Sequence, residues 1–174
     1  MDDSAAVLDR IEQLEQRLRD LEDQAEISQL IAAYGPLVDA GDAEQVAGQW
    51  TEDGIYDVDE ISMSGRDQIR AMVRSKNHQG WIAGGCAHFL GPARVQVNGD
   101  AAVAVCHSLM VVNQGGAFEE APEFVVRRAT AHHFEVVRTP QGWRIAKRTS
   151  RVLDGRTEAP ELLRRGTLGQ VAPQ

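Results

Sequence analysis

The sequence predicts an α+β domain: a cone-shaped α+β barrel in which a strongly bent, mainly antiparallel sheet is covered by N-terminal helices. Three observations carry this. Helical spacing dominates the first half of the chain, and a period of two dominates from Ala87 onward. The turn sequences Asn98-Gly99-Asp100 and Thr139-Pro140-Gln141-Gly142 have hairpin length and cut the second half into a meander. Helices followed by consecutive hairpins give an α+β order. A bent sheet closed by helices is a cone with one open end, the natural place for a small-molecule pocket.

The elements follow in order. Val7, Ile11, Leu14, Leu18, Leu21 and Ala25 form a heptad-like stripe, so residues 1–24 read as an N-terminal helical extension laid on the domain or on a second subunit. Ile27, Leu30, Ile31, Tyr34, Leu37 and Val38 continue helical spacing, and Gly41 supplies the stop. Asp42 caps a short helix that carries Val46 and Trp50; Thr51–Gly54 reads as a turn. Ile55–Val58 and Ile61–Met63 read as a hairpin. Ser64-Gly65-Arg66-Asp67 reads as a capping box opening a helix with Ile69, Met72 and Val73 on one face. Residues 78–85 read as a loop. Ala87–Val97, Ala101–Asn113, Phe124–Arg138 and Trp143–Val152 read as long strands, the first bulged or bent at Gly91-Pro92. Gln114–Pro122 is a longer loop. The cone domain spans 25–153, and a tail, 154–174, holds a short helix around Pro160–Arg165.

Composition excludes several classes. The 174 residues are 43% apolar and 25% charged, as in an ordinary globular domain. Eighteen basic against 26 acidic residues give a net charge of -8, without the Lys/Arg cluster a nucleic-acid partner needs. No apolar run reaches membrane-span length, and the acidic start Met1-Asp2-Asp3-Ser4 lacks a secretion signal. Cys86 and Cys106 form no Cys-x-x-Cys pair and read as free thiols in a reducing cytoplasm. His132 and His133 are adjacent on a strand, point to opposite faces and cannot chelate together, so no metal is expected. No phosphate loop or dinucleotide fingerprint is present, and no cofactor is expected.

The run from Ile27 through Tyr34 and Asp39 to Asp42, then Trp50-Thr-Glu-Asp53-Gly-Ile-Tyr56, Gly65-Arg66-Asp67-Gln-Ile69, Ala87-His88-Phe89-Leu-Gly91-Pro, Asn98-Gly99-Asp100 and Gly142-Trp143-Arg-Ile-Ala-Lys-Arg148 resembles the SnoaL-like branch of the nuclear-transport-factor-like cone fold. The resemblance covers residues 25–152. Enzymes of that branch, among them bile-acid 7α-dehydratase, scytalone dehydratase and hexachlorocyclohexane dehydrochlorinase, carry a helix-end aspartate and a strand histidine as a catalytic pair. The resemblance places these at Asp39 and His88, and the tyrosine of the bile-acid enzyme at Tyr34. The later acidic residue of that enzyme has no clear counterpart, and its late arginine none in Arg148 or Arg151.

The chemistry of these residues agrees. An unperturbed imidazole titrates near neutrality and can act as a base. A neighbouring carboxylate fixes its tautomer and stabilises the imidazolium. A carboxylate at a helix C-terminus is disfavoured by the macrodipole, which marks Asp39 as a residue kept for a cation partner. Tyr34 can donate to a substrate oxygen. Trp50, Tyr56, Trp81, Cys86, Phe89 and Met110 are the candidate pocket wall. One of His107, Asn113, His132 and His133 can project into the cone as a polar group. The expected function is a cofactor-independent lyase, a dehydratase-like elimination on a small hydrophobic, cyclic substrate. The alternatives are an isomerase or cyclase using the same dyad, and a non-catalytic binding or assembly domain. The N-terminal stripe and the two apolar parities of Phe124–Val137 predict a homodimer or higher homo-oligomer.

Overall fold

The structure, a computed structural model, describes residues 3–115 and 123–173. The expected loop Gln114–Pro122 therefore lies mostly outside the described residues. Helix α1 runs unbroken from Asp3 to Asp39, with Pro36 inside its last turn. It ends where expected: Gly41 takes φ +71, its N–H bonds to the Val38 carbonyl at 3.1 Å, and Asp42 N–H bonds to Leu37 at 3.0 Å. This is a Schellman ending, and only glycine adopts that φ without cost. Asp39 is thereby fixed as the last helical residue.

Helix α2 (Ala43–Gly48) is capped by Asp42, which accepts the Gln45 N–H at 3.1 Å. Trp50 does not lie on it. Strand β1 (Trp50–Val58) starts there and passes through the expected turn at 51–54 as an irregular strand. β1 pairs with β2 (Ile61–Ser64) as the expected hairpin. Helix α3 (Arg66–Arg74) is capped by Gly65, at φ +80, and not by Ser64; Gln68, and not the expected Asp67, reaches back to the Ser64 N–H at 3.0 Å, while Asp67 pairs with Arg70. Residues expected as a loop are helix α4 (Lys76–Gly84), whose cap is Ser75 accepting the His78 N–H at 3.2 Å. Gly80 and Gly84 mask its helical pattern.

β3 (Cys86–Leu90) and β4 (Arg94–Asn98) replace the single strand expected over 87–97. Both pair with the same edge of β5 (Ala101–Asn113), and Gly91-Pro92-Ala93 makes the break between them. Proline cannot donate to the ladder there. β6 (Phe124–Thr139) and β7 (Gly142–Val152) complete the meander. The sheet order is β2-β1-β7-β6-β5-β3, antiparallel except where β1 lies parallel to β7. This is the mixed α+β architecture expected.

The concave face buries Ile27, Ile31, Tyr34 and Val38 of α1 against Ala104, Cys106, Phe134, Val136 and Ile145 of the sheet. Each buried Ile, Val or Phe among them contributes about 1.5–3 kcal/mol by leaving water. The convex face is covered in part by α5 (Glu158–Thr167), longer than the helix expected in the tail. Gly166 of α5 approaches Val105 and His133 so closely that a Cβ would overlap them. The second apolar parity of β6 is thus buried by the chain's own tail at this point. Phe89, Leu109 and Val126 stay exposed beyond it. No described helix is long and apolar enough to cross a membrane.

Candidate active site

One cavity opens inside the cone, about 270 Å³ in volume, at the end of the sheet away from the main core. Its polar contents come from strand parity. His88 pairs with Met110, and both point inward; Ser108, Thr130 and His132 continue that face across β5 and β6. A bulge at Ala146 then resets β7, because Val136 pairs with Ile145 but Glu135 pairs with Lys147. Arg148 and Ser150 consequently turn inward on the same side as Trp143 and Ile145.

Asp39 reaches from the end of α1 to β3 and grips His88 twice. His88 donates its backbone N–H to Asp39 Oδ2 at 2.7 Å, and His88 Nδ1 lies 2.6 Å from Asp39 Oδ1. The carboxylate accepts, so Nδ1 carries the proton. Nε2 has no hydrogen-bond partner among the described residues, and His88 lines the cavity. Both side chains are about one-fifth exposed, at 21% each.

Two further histidines stand nearby. His78 of α4 is buried, lines the cavity and bonds through Nε2 to the Val38 carbonyl at 3.0 Å, which ties α4 to the end of α1. His132 is the histidine that projects into the cone. Its Nε2 lies 2.7 Å from Ser108 Oγ and its Nδ1 2.7 Å from Ser150 Oγ. Burial, then the charge of Arg148, push its pKa well below the ordinary imidazole value. A neutral ring has one N–H, so His132 donates to one serine and accepts from the other.

Arg148 is 1% exposed and has no carboxylate partner among the described residues. Its guanidinium lies over the rings of Tyr34 at 4.0 Å, Tyr56 at 4.7 Å and Phe134 at 5.1 Å. Nη2 lies 3.3 and 3.4 Å from the two nitrogens of His132, while Nε and Nη1 make no hydrogen bond among the described residues. The aromatic faces offset part of the cost of burying this charge. Burial pushes the Tyr34 hydroxyl well above the ordinary phenol range, so it stays protonated. At the mouth, Arg128 pairs with Asp59 and donates to Thr130 Oγ1 at 3.0 Å.

Of the residues singled out from the sequence, Asp39, His88 and Tyr34 come together, and Tyr34, Tyr56, His88 and Met110 line the cavity. Trp50 does not: it is fully buried behind Tyr34 and Tyr56, with ring centroids 6.0 and 5.6 Å away. Cys86 faces as expected but sits behind Asp39, its Sγ 3.8 Å from Oδ1, and off the wall. Phe89 alternates to the convex face and is 67% exposed. Trp81 sits in a separate hollow with Asn113 and Arg127. His107 is exposed on the convex face. His133 lies under α5, bonded through Nε2 to the Gln170 carbonyl at 2.8 Å.

Sequence reasoning missed His78, Ser108, Arg128, Thr130, Arg148 and Ser150. Parity with Met110 could have found Ser108; the bulge hides Arg148. Asp39, Cys86 and His88 offer ligand atoms within 4.8 Å of one another. Burial, and then Asp39, push the Cys86 thiol pKa up.

The model of the SnoaL-like domain matches residues 19–149. The chain belongs to the SnoaL-like family. No curated protein matches its sequence. An NTF2-like protein with a cystatin-like fold from Novosphingobium aromaticivorans is 43% identical, with 94% of this chain and 98% of that chain covered and a TM-score of 0.81. Two more distant structures share the fold. One, from Streptomyces avermitilis and assigned to the dehydratases of the NTF2-like family, is 18% identical over 79% of this chain and 98% of that one, at TM-score 0.60. The other, from N. aromaticivorans and assigned as a scytalone dehydratase, is 16% identical over 80% of this chain and 87% of that one, at TM-score 0.61. This SnoaL-like chain therefore sits in a fold that dehydratase-assigned proteins share, and its own residues must carry any finer reading.

Proposed function

We propose that this SnoaL-like protein is a cofactor-independent lyase that eliminates water from a small, hydrophobic, cyclic substrate. The observation that carries the reading is His88, with Nδ1 held by Asp39 and Nε2 unpartnered on the cavity wall. In this reading Nε2 removes a proton from the carbon next to a carbonyl. Asp39 stabilises the imidazolium that forms, and the negative charge developing on the carbonyl oxygen is met by Tyr34 and the unpaired Arg148 guanidinium. The proton on Nε2 then passes to the departing hydroxyl, and water leaves with no external acid. The apolar part of the wall, including Met63, Met72, Leu90 and Met110, suits a small hydrophobic ring.

A second reading has support of its own. The Ser108–His132–Ser150 chain can give an oxygen on the substrate a neutral hydrogen-bond donor, which suits an enol intermediate that is reprotonated elsewhere on the ring. That reaction is isomerisation through the same dyad.

The test is a panel of cyclic β-hydroxy ketones followed by conjugated-enone absorbance and by mass. Elimination predicts loss of water with wild-type protein. Asp39→Asn and His88→Ala should each lose about 10²–10⁴ in rate and keep their fold. Solvent deuterium entering the ring without loss of water would favour isomerisation. Near wild-type turnover in both variants would refute the dyad.

A further inference from the structure

The apolar stripe at the start of α1 takes no part in the cavity or the core. Every residue from 4 to 22 is exposed, including Val7, Ile11, Leu14, Leu18 and Leu21 at 45–62%. The helix docks only from Asp23 onward, where Asp23 accepts the Trp143 Nε1–H at 3.0 Å and pairs with Arg138 at 2.6 Å. At about 100° per residue the stripe lies roughly 150° around the helix from Ile27, Ile31, Tyr34 and Val38. The domain that buries the second face cannot also cover the first, so the stripe faces away from its own chain. The family match begins at residue 19, so most of this segment lies outside it.

The flanking charges say what covers it. With Ile11 and Leu18 at heptad positions a, and Val7, Leu14 and Leu21 at d, positions g hold Arg10 and Arg17 and positions e hold Leu8, Glu15 and Glu22. In a parallel pair each g residue meets the e residue five positions on in the other helix. That matches Arg10 to Glu15 and Arg17 to Glu22, on both sides of the seam. An antiparallel pair sets g against g and e against e, which puts like charges together. The remaining acids, Asp9, Glu12, Asp20 and Asp23, fall at b, c and f, away from the seam. Within one chain Glu15 reaches Arg19 only at 3.9 Å.

We propose that two copies of this chain associate through residues 7–21 of α1 as a parallel coiled coil, with Arg10 and Arg17 of each copy against Glu15 and Glu22 of the other. Fewer than three heptads rarely hold two free peptides together. Here the helix is already nucleated and anchored by its docked half, which removes most of the ordering cost. The pairing leaves the mouths of both cavities unobstructed by the seam residues, since these point away from the domain.

The test is sedimentation of the full-length protein at tens of micromolar. The wild type sediments as a dimer, or as a larger assembly built of dimers. Leu14→Glu with Leu18→Glu halves the mass, raising the dissociation constant at least about 100-fold, because two charges per chain enter an apolar seam. The far-ultraviolet circular dichroism of the domain is retained, since both positions are exposed in the single chain. Arg17→Glu alone weakens association, and Arg17→Glu with Glu22→Arg restores it. A monomeric wild type would overturn the proposal. So would an assembly indifferent to the Leu14/Leu18 change, which would place the interface on another surface such as that around Phe89 and Leu109. Tighter association of Arg17→Glu would show an antiparallel pair and overturn the orientation.

Discussion

Burial, followed by the Arg148 guanidinium, holds His132 below its ordinary pKa, and burial does the same for His133 beneath α5. Both rings are nearly inaccessible, at 3% and 0% exposure. The consequence for stability has a definite sign. In the unfolded chain each imidazole takes a proton below about pH 6.5, whereas in the folded chain it does not until lower pH. The unfolded state binds more protons in that window, so stability is complete above it and falls as pH drops. The slope is up to about 1.4 kcal/mol per pH unit for each histidine. Thermal unfolding of the wild type should therefore drop between pH 7 and pH 5. His132→Gln starts lower, having lost its serine bonds, but falls less steeply. An unchanged slope in that variant would contradict a neutral His132. At this scale Asp39, His88 and Tyr34 came from the resemblance to the SnoaL-like branch and not from local spacing, since Asp39 and His88 stand 49 residues apart. The sequence did not carry Arg148. Strict alternation from Trp143 and Ile145 points residue 148 outward, and the extra residue at Ala146 reverses it.

Between α1 and β3 the backbones are in close contact, and one residue permits it. Gly35 lies against the carbonyl oxygen of His88, where any Cβ would overlap that oxygen. The tight crossing is what lets a side chain as short as Asp39 reach both the backbone N–H and the ring of His88. Gly35→Ala should cost about 1–3 kcal/mol through overpacking, and should also open the Asp39–His88 bond. Denaturant unfolding measures the first effect, and the His88 ring resonances report the second. A variant of wild-type stability with an unaltered ring environment would contradict this account. Elements with strong periodicity or clear stop signals were legible: α1, the β1–β2 hairpin and the long strands β5 to β7. Helix α4 was not, because two glycines dilute its pattern and its stability comes from Ser75 and from packing of His78 against α1. The boundary between α2 and β1 was missed because Trp50 fits helical spacing from Val46 but belongs to a bulged strand.

For the molecule as a whole, the helices and the tail divide the sheet between them. α1 to α4 close the concave face and leave one cavity beside the core, and α5 covers part of the convex face. The α+β class was legible because element order alone constrains it. The use of α5 was not, because a short helix in a weakly periodic tail gives no sign of which sheet face it meets. Everything functional then depends on one arrangement: a histidine with its inner nitrogen protonated toward Asp39 and its outer nitrogen bare toward the cavity. Long-range proton–nitrogen NMR of uniformly ¹⁵N-labelled protein at neutral pH reads this directly, with His88→Ala assigning the signal. The account predicts the Nδ1–H form for His88, a bare Nε2, and a shift toward the Nε2–H form in Asp39→Asn. A resting His88 already protonated at Nε2, or one whose tautomer is indifferent to Asp39→Asn, would contradict it.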